Sequence, residues 1–152
     1  MIQPIVKNID SITVISKEVD YDNQIGIGIK ELKAFATENN IICIKKPFAI
    51  FSKHNLSKSY AIEVCVPVIK DTVRFNACSY KIQNIESQEV VSFIYNGNVF
   101  DMKKTYKLLY KWMKDNNYIS CGPVREIYME SLNKDKQIQL EIQIPIKPIE
   151  IY

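Results

Sequence analysis

The sequence predicts an α+β domain made of two similar halves, each running strand, helix, strand, strand. Three observations predict it. A Pro-led strand pair occurs twice, a helical apolar period precedes each pair, and a β-rich run precedes each helix. With 152 residues, 47% of them hydrophobic, the chain is long enough for one body with a filled core. We therefore read residues 1–152 as a single domain, with half-repeats over about 1–72 and 73–152.

In chain order, Ser11–Val19 reads as the first strand. Ile25, Ile29, Leu32 and Phe35 or Ala36 then recur at helical spacing, and Asn39-Asn40 stops the helix. Gly26 and Gly28 weaken its start. Lys46–Ser52 is the first Pro-led strand, and His54–Lys58 is a polar turn. In Tyr60–Val68, Tyr60, Ile62, Val64, Val66 and Val68 fall on one face. Residues from about Val73 to Ile82 add a strand where the halves join.

The second half repeats this order. Glu89–Tyr95 is a strand. Met102, Tyr106, Leu109 and Met113 follow at spacings of four, three and four, with Asp101 as N-cap and Asn116-Asn117 as stop. Gly122–Tyr128 is the second Pro-led strand, and Asn133–Lys136 its turn. In the last strand Ile138, Leu140, Ile142, Ile144 and Ile146 alternate with Gln139, Glu141 and Gln143, the pattern of a half-buried antiparallel strand. Pro67 and Pro145 are expected at strand termini. Both helices should pack on the antiparallel sheet.

Composition excludes several classes of function. No apolar run approaches the roughly 18 residues of a membrane span, and the N-terminus lacks the pattern of a signal peptide. A cytoplasmic protein is expected. Net charge is +3, and the densest basic stretch, Lys103, Lys104, Lys107, Lys111 and Lys114, reads as a solvated helix face rather than a nucleic-acid stripe. Cys43, Cys65, Cys78 and Cys121 form no C-x-x-C pair, and His54 is the only histidine. No metal site and no cofactor are expected, and the thiols should be free and mostly buried. Gly26-Ile27-Gly28 lacks the third glycine of a dinucleotide fingerprint.

A duplicated unit supplies its own control, because positions serving only the core should match. On the Pro-led strands, Phe48, Ile50 and Ser52 correspond to Val124, Glu126 and Tyr128. Glu126 thus stands where its twin has isoleucine. Either the strand turns Glu126 to water and leaves Ile127 and Met129 in the core, or Glu126 sits in a largely apolar site. Burying an unpaired carboxylate costs several kcal/mol or raises its pKa, so such a group generally serves a ligand. Tyr95, Tyr106, Tyr110, Trp112, Tyr118 and Tyr128 all fall in the second half; for Tyr106 and Trp112 the plain explanation is core packing. Glu63 and Glu141 occupy equivalent places, which indicates a shared structural role.

Trp112, Asn117-Tyr118, Gly122–Tyr128 and Glu141–Ile146, with Tyr95-Asn96-Gly97 ahead of the helix, resemble the signature of the gyrase-inhibitor-like small-molecule-binding domain. The module is similar to the effector-binding domains of multidrug-sensing transcription activators, and the resemblance covers essentially the whole chain. It implies a pseudo-twofold pair of units with a ligand groove between the halves. It also implies a glutamate, here Glu126, that attracts lipophilic cations, with aromatic rings around it. Tyr128 is the nearest candidate ring, followed by Tyr110, Trp112 and Phe35. Relatives often carry a helix-turn-helix region; this chain is expected to act alone, without direct DNA binding. A stand-alone multidrug-type binding or sensing protein is the first functional reading. The resemblance also allows a hydrolase of electrophilic small molecules, with Glu126 as general base and Tyr128 polarising the leaving group. A gyrase-type inhibitor acting by protein contact is the third.

Overall fold

The computed structural model describes residues 3–53, 60–74, 80–129 and 137–150. The described strands are β1 (Ile5–Ile9), β2 (Ile12–Val19), β3 (Phe48–Lys53), β4 (Tyr60–Pro67), β5 (Lys81–Ile85), β6 (Gln88–Asn98), β7 (Tyr118–Ser120), β8 (Val124–Tyr128) and β9 (Gln137–Pro148). The helices are α1 (Ile25–Glu38) and α2 (Met102–Asp115). All the described strand pairs are antiparallel. The α+β class read from the sequence is therefore the observed one. No helix among the described residues is long and apolar enough to cross a membrane.

The chain divides into two compact units, Asp10–Ser87 and Met1–Ile9 with Gln88–Tyr152. In the first, the strands run β3-β4-β2-β5. In the second they run β1-β6-β9-β8, with β7 also on β9. Strand pairing thus draws a boundary that periodicity does not. The leading strand of the chain, β1, pairs with β6, while β5 pairs with β2. The expected joining strand lies later than Val73–Ile82, and the two predicted turns around His54 and Asn133, with Cys78, lie outside the described residues.

In the 10–87 unit, α1 packs on β2 and β4 and buries Ile25, Gly28, Leu32 and Ala36. A Cβ on Gly28 would stand 3.4 Å from both Val19 and Val64, so a small residue lets helix and sheet approach closely. Asn39 caps α1, and Asn40 takes the left-handed conformation at φ 57° that ends it.

In the other unit, α2 rests Leu109 and Met113 on Val91, Tyr95, Leu140, Ile142, Ile144 and Ile146. Each of these large apolar side chains contributes about 1.5–3 kcal/mol on burial. Asn116 caps the helix and Asn117, at φ 62°, stops it as expected. Asp101 takes the N-cap position of α2 as expected, but not through its side chain. A 3-10 turn over Val99–Asp101 leads into α2, and Asn98 caps that turn by accepting from Phe100 N–H at 2.8 Å. The lysines of α2 are exposed, as read. Two other expectations need correction. Pro145 does not end its strand: β9 continues through it, pairing with β8 before it and β7 after it. A residue without N–H fits the point where the strand changes partners. And of the described cysteines only Cys65 is buried; Cys43 and Cys121 are exposed.

Candidate functional site

The strand register decides how Glu126 faces. Glu126 lies opposite Ile142 and Tyr128 opposite Leu140, and both partners are fully buried beneath α2. Side chains directly opposite in a ladder share a face. Glu126 and Tyr128 therefore project to the helix-covered face, while Ile127 points with Glu141 to the other. The register also corrects the twin assignment. Ile50 lies opposite Glu63 and Ile127 opposite Glu141, so those two isoleucines correspond. The twin of Glu126 is Ala49, which is completely buried opposite Val64. A half-buried carboxylate replacing a buried alanine is a larger break in the repeat than one replacing isoleucine.

Tyr106 on α2 completes the group. Its hydroxyl donates to Glu126 Oε2 at 2.6 Å, and the Tyr128 hydroxyl donates to Oε1 at 3.3 Å. A phenol donating to a carboxylate makes a charge-assisted bond, stronger than a neutral one. Burial, and next the adjacent Glu126 charge, push the Tyr106 phenol far above the ordinary tyrosine range. The hydroxyl therefore keeps its proton and donates it to Glu126. All three side chains are partly exposed. Chemically, the group offers one carboxylate, two donor hydroxyls and two aromatic rings above an apolar floor.

Of the other expected site residues, Tyr110 adjoins this group, Trp112 does not, and Phe35 belongs to the other unit. Tyr110 lies one turn beyond Tyr106 on the same flank of α2 and is exposed. Trp112 is on the opposite flank, about 160° from Tyr110 at 3.6 residues per turn. Its ring stacks on Tyr118 at 6.0 Å and 9°. Phe35, in the 10–87 unit, meets Tyr80 edge-on at 5.1 Å, and Tyr80 lies 5.8 Å from the Lys17 ammonium. Tyr106 is the residue that periodicity assigned to packing. Its spacing from Met102 and Leu109 is that of a core position, and only the packing of α2 on the sheet brings it to Glu126.

Glu63 and Glu141 hold structural positions, as expected from their equivalence. Glu141 Oε2 accepts from Lys7 at 2.6 Å, Ser92 at 2.7 Å and Gln143 at 2.9 Å. Glu63 accepts from Gln83, which also donates to Ser16, and pairs with Lys81 at 3.8 Å. The polar side of the ladder is thus not a simple solvent face, for Gln143 and Ser92 are themselves buried.

No group of three or more metal-binding side chains occurs among the described residues. An open cavity of about 390 Å³ lies at the C-terminal end of α1, lined by Glu38, Asn39, Asn40, Ile41, Asp71, Thr72 and Arg74. Ile41 is its single apolar wall, so it lacks the hydrophobic lining typical of organic-ligand sites.

Comparison with known proteins agrees with this architecture. Residues 7–147 match the family described as GyrI-like small molecule binding domain. The EcmrR C-terminal domain is similar in structure, with TM-score 0.80 and 22% identity over 98% of this chain and 99% of that one. In the EcmrR–DNA complex the match spans 97% of this chain but 58% of the EcmrR chain, with 21% identity and TM-score 0.81. A hydrolase from Listeria innocua encoded by lin2189 superimposes with TM-score 0.72 and 9% identity, over 95% of this chain and 92% of that one. SAV2435, with tetraphenylphosphonium bound, gives TM-score 0.60 and 11% identity over 95% and 94%. A search of curated proteins finds no match. At these identities the structural likenesses establish the fold.

Proposed function

This chain belongs to the GyrI-like small molecule binding domains, and from that premise we propose that it binds lipophilic organic cations at Glu126, Tyr106 and Tyr128. The observation that carries the reading is the Glu126 carboxylate on the apolar, helix-covered face, held by two phenols at 2.6 and 3.3 Å. A carboxylate supplies attraction for positive charge, and each ring adds a cation–π contact of about 0.5–2 kcal/mol. Apolar ligand surface contributes at roughly 25 cal/mol per Å². Such terms demand little shape complementarity, so the site tolerates varied ligands. Tyr110 extends the aromatic wall. Trp112 and Phe35, engaged with Tyr118 and Tyr80, serve packing in this reading. SAV2435, a relative in fold, holds a cation of this class, which is consistent with the proposal.

A fluorescence titration with a lipophilic cationic dye tests it. At about 5 Å and an effective dielectric of 20, a charge pair is worth roughly 3 kcal/mol. Partial exposure of Glu126 reduces this, so Glu126→Gln should weaken binding by about tenfold (about 1.4 kcal/mol). Equal affinities for both proteins would refute the charge-pairing role.

A further inference from the structure

The hydrogen bonds on Glu126 bear on which cations it accepts. A carboxylate offers about four acceptor positions on two oxygens. Tyr106 occupies one on Oε2 and Tyr128 one on Oε1. Tyr106 sits on a helix packed into the core between Met102 and Leu109, so its hydroxyl is presented from a rigid element rather than a loop.

A cation bearing N–H groups gains most by donating directly to the carboxylate. Here it must share the oxygens with the phenols or displace one. A cation without N–H asks only for charge and ring faces, and leaves both phenol bonds in place. Resting on the cation-binding reading above, we propose that the Tyr106 hydroxyl is a specificity determinant, which makes the site favour onium cations lacking N–H over protic ammonium and iminium ions. The Tyr106 ring is a wall of the site, and its oxygen is the discriminator. Tyr128, whose bond is longer, acts in the same sense more weakly.

Two dyes on one scaffold test this: tetramethylrhodamine methyl ester, with no N–H, and the N-unsubstituted rhodamine methyl ester, with free amino groups. Both carry one positive charge and report binding by fluorescence anisotropy. The wild-type protein should bind the tetramethyl dye more tightly. Tyr106→Phe, which keeps the ring, should move the ratio of the two Kd values by about tenfold or more toward the N–H dye, as expected for one charge-assisted bond. Tyr128→Phe should move it less. An unchanged ratio in Tyr106→Phe, with both dyes still bound and weakened by Glu126→Gln, overturns the discrimination and leaves the Glu126 reading standing. Dye binding that is absent, or indifferent to Glu126→Gln, overturns both. If Tyr106→Phe fails to fold by circular dichroism, Tyr128→Phe carries the test: a shift toward the N–H dye supports phenol competition, and no shift overturns it.

Discussion

Replacing Glu141 by glutamine changes almost no volume but removes the charge on which three donors converge. Lys7, Ser92 and Gln143 all reach Oε2, at 2.6, 2.7 and 2.9 Å. The amide oxygen of Glu141→Gln can still accept from them, so what is lost is charge assistance, which separates bonds of about 1.5–3 kcal/mol from neutral ones of about 0.5–1.5. The Lys7 side chain is 38% exposed, and solvent screening discounts its share. A net destabilisation of about 1–2 kcal/mol at neutral pH is therefore expected. The pH dependence carries a sign. Burial alone would raise the Glu141 carboxyl, but hydrogen bonds from Gln143, Lys7 and Ser92 outweigh it and hold the group below the ordinary 4.5. A depressed folded-state pKa gives stability that is complete above the unfolded value and is lost as pH falls through the folded one. Urea denaturation of both proteins at pH 7 and at steps below pH 4.5 should show the gap close on acidification. A variant as stable as wild type at pH 7, or a gap independent of pH, would refute the reasoning.

Two further substitutions probe the helices. Asn98→Ala removes the acceptor for Phe100 N–H at the turn leading into α2, and should lower stability by about 1 kcal/mol in chemical denaturation. Gly26→Ala adds a methyl where nothing lies within 4 Å, in the first turn of α1. It should raise Tm, through about 0.5–1 kcal/mol of helix propensity.

The long regular elements were legible because their patterns answer to a single neighbour. Leu140, Ile142, Ile144 and Ile146 alternate since one face of β9 meets α2, and Leu109 and Met113 repeat since one stripe of α2 meets β9. β1 was not legible. In these five residues at a sheet edge the apolar Ile5, Val6 and Ile9 do not alternate, and Ile5 and Val6 are both exposed. Its partner β6 is remote in sequence, and local pattern carries no record of remote pairing. Alternation and the broken repeat single out Glu126 and Tyr128, but they set the twin one residue off. Sequence matched Glu126 to Ile50, whereas the ladders match it to Ala49. A one-residue slip reverses every face of a strand, and only the opposed pairs Ile50–Glu63 and Ile127–Glu141 fix the true frame. Tyr106 is not legible as a site residue for a related reason. Tyrosine suits a core flank and a hydrogen-bonded site equally, and the carboxylate it meets lies on a different element.

The placement of β1 sets an order of assembly. Every strand of the Asp10–Ser87 unit has been made once the chain reaches Ser87, so that unit has all its partners while the ribosome is still adding the rest. β1 emerges before any of them, yet the strand it joins, β6, comes after that whole unit, and the glutamate that holds Lys7 comes later still, on β9. A strand made before that unit is thus seated only after it. Until then its edge groups go unpaired, and closure over so long an intervening loop is slow compared with local hairpins. Lys7 on this strand is useful in both periods: a charge that discourages edge-to-edge association while β1 waits, and the partner of Glu141 once it arrives.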